Sequence, residues 1–151
     1  MWIALYVVLG LAATVILAIL VGALLQVEDW RRDFTTNTAA IVEDSPDPRL
    51  RPMESQLAPA ELAKIVAAAA NVLPRWELAE QSEEDGTVEL HFVRSTPLWK
   101  FKDDIRVHID PTENGGSLLT AESRSRVGKG DLGQNPRNLR ELLAAIRKTM
   151  P

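Results

Sequence analysis

Residues 87–95 read TVELHFVRS and residues 104–110 read DIRVHID, and apolar and polar side chains alternate in both segments. A period of two residues is typical of a β-strand with one buried and one exposed face. The apolar positions are Val88, Leu90, Phe92, Ile105, Val107 and Ile109. These two segments therefore predict neighbouring strands of a sheet that is covered on one side.

Two further segments on either side of this pair have strand character. One lies near Arg75–Gln81 and ends in the turn sequence SEEDG, and the other is Ser117–Val127, which follows the turn sequence PTENGG. The links between successive strands are of hairpin length, which favours antiparallel neighbours. The sequence thus predicts a four-stranded antiparallel sheet.

Helical patterns precede and follow the strands. Pro59 suits the first position of a helix that ends near Asn71, and Asn135 is predicted to cap a second helix from Pro136 to Met150. With helices before and after the strands, we predict an α+β, two-layer domain over residues 57–151, with both helices on one face of the sheet.

The N-terminal segment differs from the rest because no charged side chain occurs before Glu28. Residues 2–25 are apolar and would form a helix of roughly 36 Å, enough to cross a hydrocarbon core of about 30 Å. We predict a single-pass transmembrane helix over residues 1–27 that contacts the lipid bilayer through residues 2–25. A cleaved signal peptide is the alternative, but no basic residue precedes the apolar run.

The segment from residue 28 to residue 56 is predicted to be an extended linker. Three prolines, Pro46, Pro48 and Pro52, lie among small polar residues without a sustained period. Arg31 and Arg32 directly follow the apolar helix, which by the positive-inside rule favours a cytoplasmic domain.

Overall charge and cysteine content narrow the classes of function. The 17 basic and 21 acidic residues give a net charge of -4, which argues against sequence-independent nucleic-acid binding. The chain has no cysteine, so no disulfide is expected in any compartment. Neither a cofactor nor a bound metal is predicted.

Gly128, Gly130 and Gly133 have the spacing G-x-G-x-x-G of a dinucleotide-binding loop. In that loop the glycines open a helix that leads to a further parallel strand, whereas only 18 residues follow Gly133 in this chain of 151. We interpret the glycines as a strand-to-helix turn in which Asp131 binds nearby amides. The alternative is a small anion site built from Lys129, free amides and the helix N-terminus.

Strand alternation places the polar residues of three of the four strands on one surface. These residues are Glu89, His91, Arg106, His108, Glu122, Arg124 and Arg126. The surface is interpreted as a solvated face with ion pairs, with an anion site or a catalytic or metal site as alternatives. His91 and His108 are weak catalytic candidates, and Ser123 and Ser125 are expected to face the core.

The segment STPLWKFKDD, residues 95–104, places aromatic and basic side chains side by side. Trp99 and Phe101 alternate with Lys100 and Lys102 in a predicted loop. Such a loop either contacts a membrane surface or a partner, or folds back over the edge of the core.

Four strings of the sequence carry a resemblance to a known family: LRP at Leu50–Pro52, KFKDDIRV at Lys100–Val107, SRSRVGKGDLGQNPRNLREL at Ser123–Leu142 and DWRRDFTTNTA at Asp29–Ala39. They resemble the bacterial and plastid proteins grouped as domain of unknown function family number 1499. The resemblance implies an exported or membrane-attached protein, so we expect the domain on the extracytoplasmic side, although the chain lacks a lipobox cysteine. It implies no catalytic role.

The C-terminal string of this resemblance coincides with the candidate anion site. The predicted ligand-binding residues are Arg124, Arg126, Lys129, Asp131, Asn135 and Arg137. The sequence therefore predicts a membrane-anchored, non-catalytic binding or interaction module for an anionic ligand or a membrane-protein partner. The alternative is a hydrolase that uses His91 or His108.

Overall fold

The computed structural model describes residues 2–25, 27, 29–97 and 100–150. The helices are α1 (Trp2–Leu24), α2 (Trp30–Thr35), α3 (Pro59–Asn71) and α4 (Gln134–Thr149), with a short 3-10 helix at Pro48–Leu50. The strands are β1 (Thr38–Ala40), β2 (Met53–Ser55), β3 (Trp76–Glu84), β4 (Thr87–Ser95), β5 (Lys102–Pro111) and β6 (Ser117–Ser125). The α+β class predicted from the sequence is confirmed.

Over the described residues the strands form one antiparallel sheet of six in the order β1-β6-β5-β4-β3, with β2 also paired to β6. The prediction of four strands is therefore wrong. β1 lies beside Glu122–Arg124, and β2 lies beside Ser117–Leu119. Both extra strands come from residues 28–56, and each has only three residues, too few to show a period of two in the sequence. They pair the backbone edge that β6 would otherwise expose.

The core lies between the sheet and the two long helices of the domain, α3 and α4. The alternating apolar residues of β4 and β5 all point toward these helices and are at most 1% exposed. The helices contribute fully buried side chains to the same cluster, among them Leu62, Val66, Leu139, Leu142 and Ile146. The predicted alternation of these strands is thus confirmed.

Helix α1 has 23 residues, and the described side chains from Trp2 to Val21 are exposed. Its length and composition suffice to cross a membrane, although a signal sequence would satisfy the same criteria. Five residues lie between the end of this helix and the start of α2. Helix α2 then packs against the domain, so the polypeptide passes almost directly from the apolar helix to the folded region.

Candidate functional site

A row of polar side chains crosses one end of the helix-covered sheet face. Trp76, Arg94, Asp103 and Ser125 are successive partners across β3, β4, β5 and β6. Arg94 is 8% exposed, Asp103 2% and Ser125 9%, so the row lies inside the protein. The next row toward the middle of the sheet, through Phe92, contains mainly apolar side chains. Charged residues therefore occupy core positions at this end alone of β4 and β5.

Helix α4 covers the row with two asparagines that are fully buried. Asn138 donates from Nδ2 to Asp103 Oδ2 at 3.0 Å, and Ser125 Oγ donates to Asp103 Oδ1 at 2.7 Å. Asn135 accepts from Ser123 Oγ at 2.6 Å and donates to Ser125 Oγ at 3.0 Å. Both carboxylate oxygens of Asp103 are thereby hydrogen-bonded, as a buried carboxylate requires.

Arg94 is less well satisfied than Asp103. Burial lowers the pKa of its guanidinium, while the negative charges of Glu141 and Asp103 oppose that shift. Nη2 lies 3.7 Å from Glu141 Oε2, but Nε and Nη1 are buried without a hydrogen-bond partner among the described residues, as is Nε1 of Trp76. An unsatisfied buried donor costs about 1–3 kcal/mol, so this end of the fold is built at the expense of stability.

The glycine turn leads from β6 to α4, and Asp131 organises it. Its Oδ1 accepts from the Gly133 amide at 2.8 Å and its Oδ2 from the Asn135 amide at 2.9 Å. The prediction that Asn135 caps the helix is wrong, because Gly133 is the N-cap residue, in a left-handed conformation at φ 75°, and the Asn135 side chain is buried. Asp131 supplies the capping acceptor instead.

Helix α2 supports the turn from outside. The Leu132 amide donates to the Asp33 carbonyl at 2.9 Å, and Asn37 Nδ2 donates to the Gly128 carbonyl at 2.9 Å. A Cβ at Gly130 would lie 2.6 Å from backbone atoms of Asp33 and Phe34, so only glycine fits there. The amides of Leu132, Gly133, Gln134 and Asn135 all donate within the protein, which favours the structural interpretation of the glycines.

Asp33 is the least expected residue of this contact. Its side chain is fully buried, and Arg32 Nε donates to its Oδ1 at 2.6 Å. The carboxylate also lies close to Gly133, where an added Cβ would be 2.7 Å from Oδ2. The sequence pattern did not indicate a buried role for Asp33, because this residue lies in the segment predicted to be a linker. A polar residue on a six-residue helix provides no periodic signal.

A cleft of about 470 Å³ opens between the glycine turn, the start of β5 and the start of α4. Its lining residues are Thr96, Phe101, Asp103, Ser125, Val127, Gly128, Gly130, Asp131, Leu132, Gln134 and Arg137. Phe101, Val127 and Leu132 are exposed apolar side chains, whereas Asp103 and Ser125 belong to the buried polar row. The cleft therefore has apolar walls and a polar floor.

The predicted ligand-binding residues do not form one cluster. Asp131 and Arg137 line the cleft, and Arg137 donates from Nη2 to the Leu132 carbonyl at 3.0 Å. Asn135 lies beneath the cleft in the buried network. Three basic residues lie outside the lining: Arg124 and Arg126, which alternate with the inward-facing Ser125, and Lys129. Trp99 lies outside the described residues.

The exposed face of the sheet carries the ion pairs expected from the alternation. Arg126 holds Asp104 with two hydrogen bonds of 2.7 Å, and His91 Nε2 lies 2.8 Å from the same carboxylate. The bond from Arg126 is the main reason why the Asp104 pKa falls from 3.8 to about 2. Arg106 lies between Glu89 at 3.9 Å and Glu122 at 3.7 Å.

Neither histidine lies at the cleft. His108 Nδ1 is 3.9 Å from a Glu89 oxygen, and His91 borders a depression of about 100 Å³, below the usual size of a small-molecule site. Ser123 and Ser125 face the opposite side of the sheet, as predicted. Among the residues that the structure describes, no group of three His, Cys, Asp or Glu side chains could hold a metal ion.

Comparisons with known proteins relate the chain to one family. The family described as "Protein of unknown function (DUF1499)" matches residues 28–146. No match was found among curated proteins. A solved structure titled "Crystal structure of Ara h 8.0201" is similar over 74% of this chain and 97% of that chain, with 11% sequence identity and a TM-score of 0.35.

Proposed function

The chain belongs to the DUF1499 family, and we propose that it is a non-catalytic binding module tethered to a membrane by residues 2–25. The proposed ligand site is the cleft beside the glycine turn. The proposed ligand is a small amphiphilic molecule. Its apolar part would contact Phe101, Val127 and Leu132, and its polar part would meet the floor of the cleft.

One observation carries this proposal, namely the buried polar row at the base of an apolar cleft. A row of Arg94, Asp103 and Ser125 within an otherwise apolar face carries a cost in stability, and such departures from core rules are expected at functional sites. A volume of about 470 Å³ also falls within the range of small-molecule sites.

An anionic group on the ligand would meet two cations, Arg137 and Lys129, at a cleft whose lining also contains Asp103 and Asp131. Asp103 and Asp131 both accept two or more hydrogen bonds from the protein, so neither carboxylate needs a ligand cation. Arg137 lines the wall, and Lys129 lies between the lining residues Gly128 and Gly130. A ligand carboxylate or phosphate near these cations would gain charge-assisted hydrogen bonds.

For the tether, we propose a retained helix and an extracytoplasmic domain. Support comes from the length and apolarity of α1 and from the membrane-attached character that the family resemblance implies. Full-length protein should stay with membranes after a carbonate wash, and a C-terminal reporter should be active only outside the cytoplasm. Release of a form cut after Ala23 would contradict the tether.

A volume-filling substitution tests the ligand site. Val127→Trp should close the cleft, whereas Val72→Trp alters an exposed valine that does not line it. Full-length wild-type protein and both variants would be purified in the same detergent, and the organic molecules retained by each would be quantified by mass spectrometry. We expect wild-type protein and the Val72 variant to retain a common small molecule that the Val127 variant lacks. Equal retention by all three would refute the cleft as the site.

A further inference from the structure

The exposed apolar side chains of the domain are concentrated around the glycine turn. In the described residues after Leu25, eight large apolar side chains are exposed, and five of them belong to this region. These five are Trp30, Phe34, Phe101, Val127 and Leu132, and we call their surface the apolar face. A cluster of this kind on an otherwise polar surface marks an interaction site rather than chance exposure.

Ring, backbone and cleft contacts connect the five members of the face. Trp30 and Phe34 stack with ring centroids 5.5 Å apart, and the Phe34 backbone lies directly against Gly130. Leu132 is bound through its amide to the carbonyl of Asp33, the neighbour of Phe34. The remaining two members, Phe101 and Val127, line the same cleft as Leu132. The aromatic pair of α2 therefore adjoins the mouth of the cleft.

The position of the apolar face along the chain identifies its partner. Five residues separate the end of α1 at Leu24 from the start of α2 at Trp30. Even a fully extended connection of this length spans only roughly 20 Å. If α1 crosses a bilayer, as proposed above, then α2 and the glycine turn against it lie close to the lipid surface.

The side chains along the apolar face fit a lipid surface. Tryptophan and phenylalanine are suited to the boundary between headgroups and acyl chains. Arg31 and Lys100 are exposed and adjoin members of the face in the sequence, and the exposed Lys129 lies two residues after Val127, although the protein as a whole carries a charge of -4. Basic side chains beside aromatic ones favour anionic headgroups over neutral ones.

We propose that the apolar face lies on the bilayer that holds α1, so that the mouth of the cleft opens toward lipid. The bilayer contact is thus made twice, by the transmembrane helix and by the folded domain. This inference rests on the proposed tether but not on ligand binding, because Trp30 and Phe34 do not line the cleft.

The absence of native cysteine makes a direct test practical. Single cysteines at Leu11, Val127 and Asn114 would carry a fluorophore in full-length protein, reconstituted in phosphatidylcholine and phosphatidylglycerol vesicles with brominated acyl chains. Leu11 reports on α1, Val127 on the apolar face, and Asn114 on the hairpin at the opposite end of β5 and β6. We expect quenching at Leu11 and Val127 that is several-fold stronger than at Asn114.

Removing the aromatic pair supplies the matched comparison. Trp30→Ser/Phe34→Ser in the Val127 label background should lower quenching at Val127 several-fold while leaving the melting temperature unchanged, and the same double substitution without the label should leave the retained ligand unchanged. Quenching at Val127 no stronger than at Asn114, with Leu11 still quenched, would overturn the docked face and leave the tether intact. Loss of quenching at Leu11 would overturn the tether itself.

Vesicles without phosphatidylglycerol should give weaker quenching at Val127, and unchanged quenching would remove the anionic preference from the proposal.

Discussion

The two ends of the helix-covered sheet face have opposite chemistry. At the hairpin end, Val88, Ile109 and Leu119 are successive partners on three strands, and none is more than 1% exposed. At the cleft end the corresponding positions are Arg94, Asp103 and Ser125, and asparagines of α4 bind the last two. The same strands thus form an ordinary apolar core at one end and a buried polar network at the other.

The difference shows where stability and binding reside. Apolar side chains at the hairpin end stabilise the fold by leaving water, and each contributes about 1.5–3 kcal/mol when fully buried. At the cleft end every charged group must first recover the cost of desolvation through its partners. Three buried donors there, on Trp76 and Arg94, lack partners among the described residues. Stability is therefore concentrated at one end and the chemistry suited to binding at the other.

The largest expected effect comes from removing one charge of the polar row. Asp103→Ala would remove one of the two negative charges beside the buried Arg94, the other being Glu141, and would strand the donors of Ser125 and Asn138. It should destabilise the protein by about 3–5 kcal/mol. Asp110→Ala, at the other end of β5, removes a bond from Thr87 Oγ1 and should cost about 1 kcal/mol or less. Urea unfolding measures both. Equal midpoints for the two variants would show that the polar row is not under electrostatic strain.

A double substitution sharpens the same comparison. Arg94→Met/Asp103→Leu removes both charges and should be more stable than Asp103→Ala alone, because apolar replacement of a buried charged pair is often neutral or stabilising. The hydrogen bonds from Ser125 and Asn138 would still be lost, so recovery should be partial. A double variant as unstable as the single one would mean that the hydrogen bonds, not the charges, hold this end together.

The next effect concerns the contact between α2 and the glycine turn. A methyl group at Gly130 would collide with backbone of Asp33 and Phe34, so Gly130→Ala should cost about 1–3 kcal/mol through forced displacement. Hydrogen exchange of the Leu132 amide, which donates to Asp33, should become faster. If that amide stays protected at wild-type level, α2 does not buttress the turn.

Substitutions at Asn135 and Asp131 distinguish the contribution of the buried hydrogen-bond network from that of the helix cap. Asn135→Ala removes bonds to Ser123 and Ser125 and should cost about 1–3 kcal/mol, because buried partners lose their bonds. Asp131→Ala removes the capping acceptor and should cost about 0.5–2 kcal/mol. Thermal unfolding would be followed with and without inorganic phosphate. If phosphate raises the melting temperature of the wild-type protein but not that of Lys129→Ala, the result would support the anion site at the glycine turn.

The smallest expected effect lies on the exposed sheet face and depends on pH. The Asp104 pKa is lowered from 3.8 to about 2, mainly by Arg126, so its stabilisation is complete above 3.8 and disappears as the pH falls through 2. The stability difference between wild type and Asp104→Asn should therefore shrink over that interval. Glu122→Gln, another carboxylate on this face, serves as the control. A difference independent of pH would show that Asp104 is not held in its ionised form.

The apolar end of this comparison could be predicted from the sequence, whereas the polar end could not. The alternation of β4 and β5 and the proline at the start of α3 are local signals, and the structure follows them. The same period of two, continued from Phe92 to Arg94 and from Ile105 back to Asp103, places both charges on the core side. That signal was present, but charged residues are seldom expected inside unless paired.

The part of residues 30–55 in the fold could not be predicted from local sequence patterns. β1 and β2 exist because β6 provides a partner edge, and Asp33 is buried because the glycine turn packs on α2. The prediction that Asn135 caps α4 was wrong for a related reason. Asn135 has the right side chain for a cap, but the tertiary network uses that side chain and Asp131 takes its place.

The central claim is that one end of the sheet binds the ligand and the other end stabilises the fold. The most direct test is to map which residues change their NMR signals when the ligand binds. Full-length protein would be freed of the small molecules it retains, which would then be added back while backbone and side-chain NMR signals are recorded. We predict shifts at the cleft end, at Phe101, Ser125, Leu132 and the Arg94 side chain, with Val88, Ile109 and Leu119 unchanged. Shifts centred on the hairpin end, or on the His91 face of the sheet, would contradict the account.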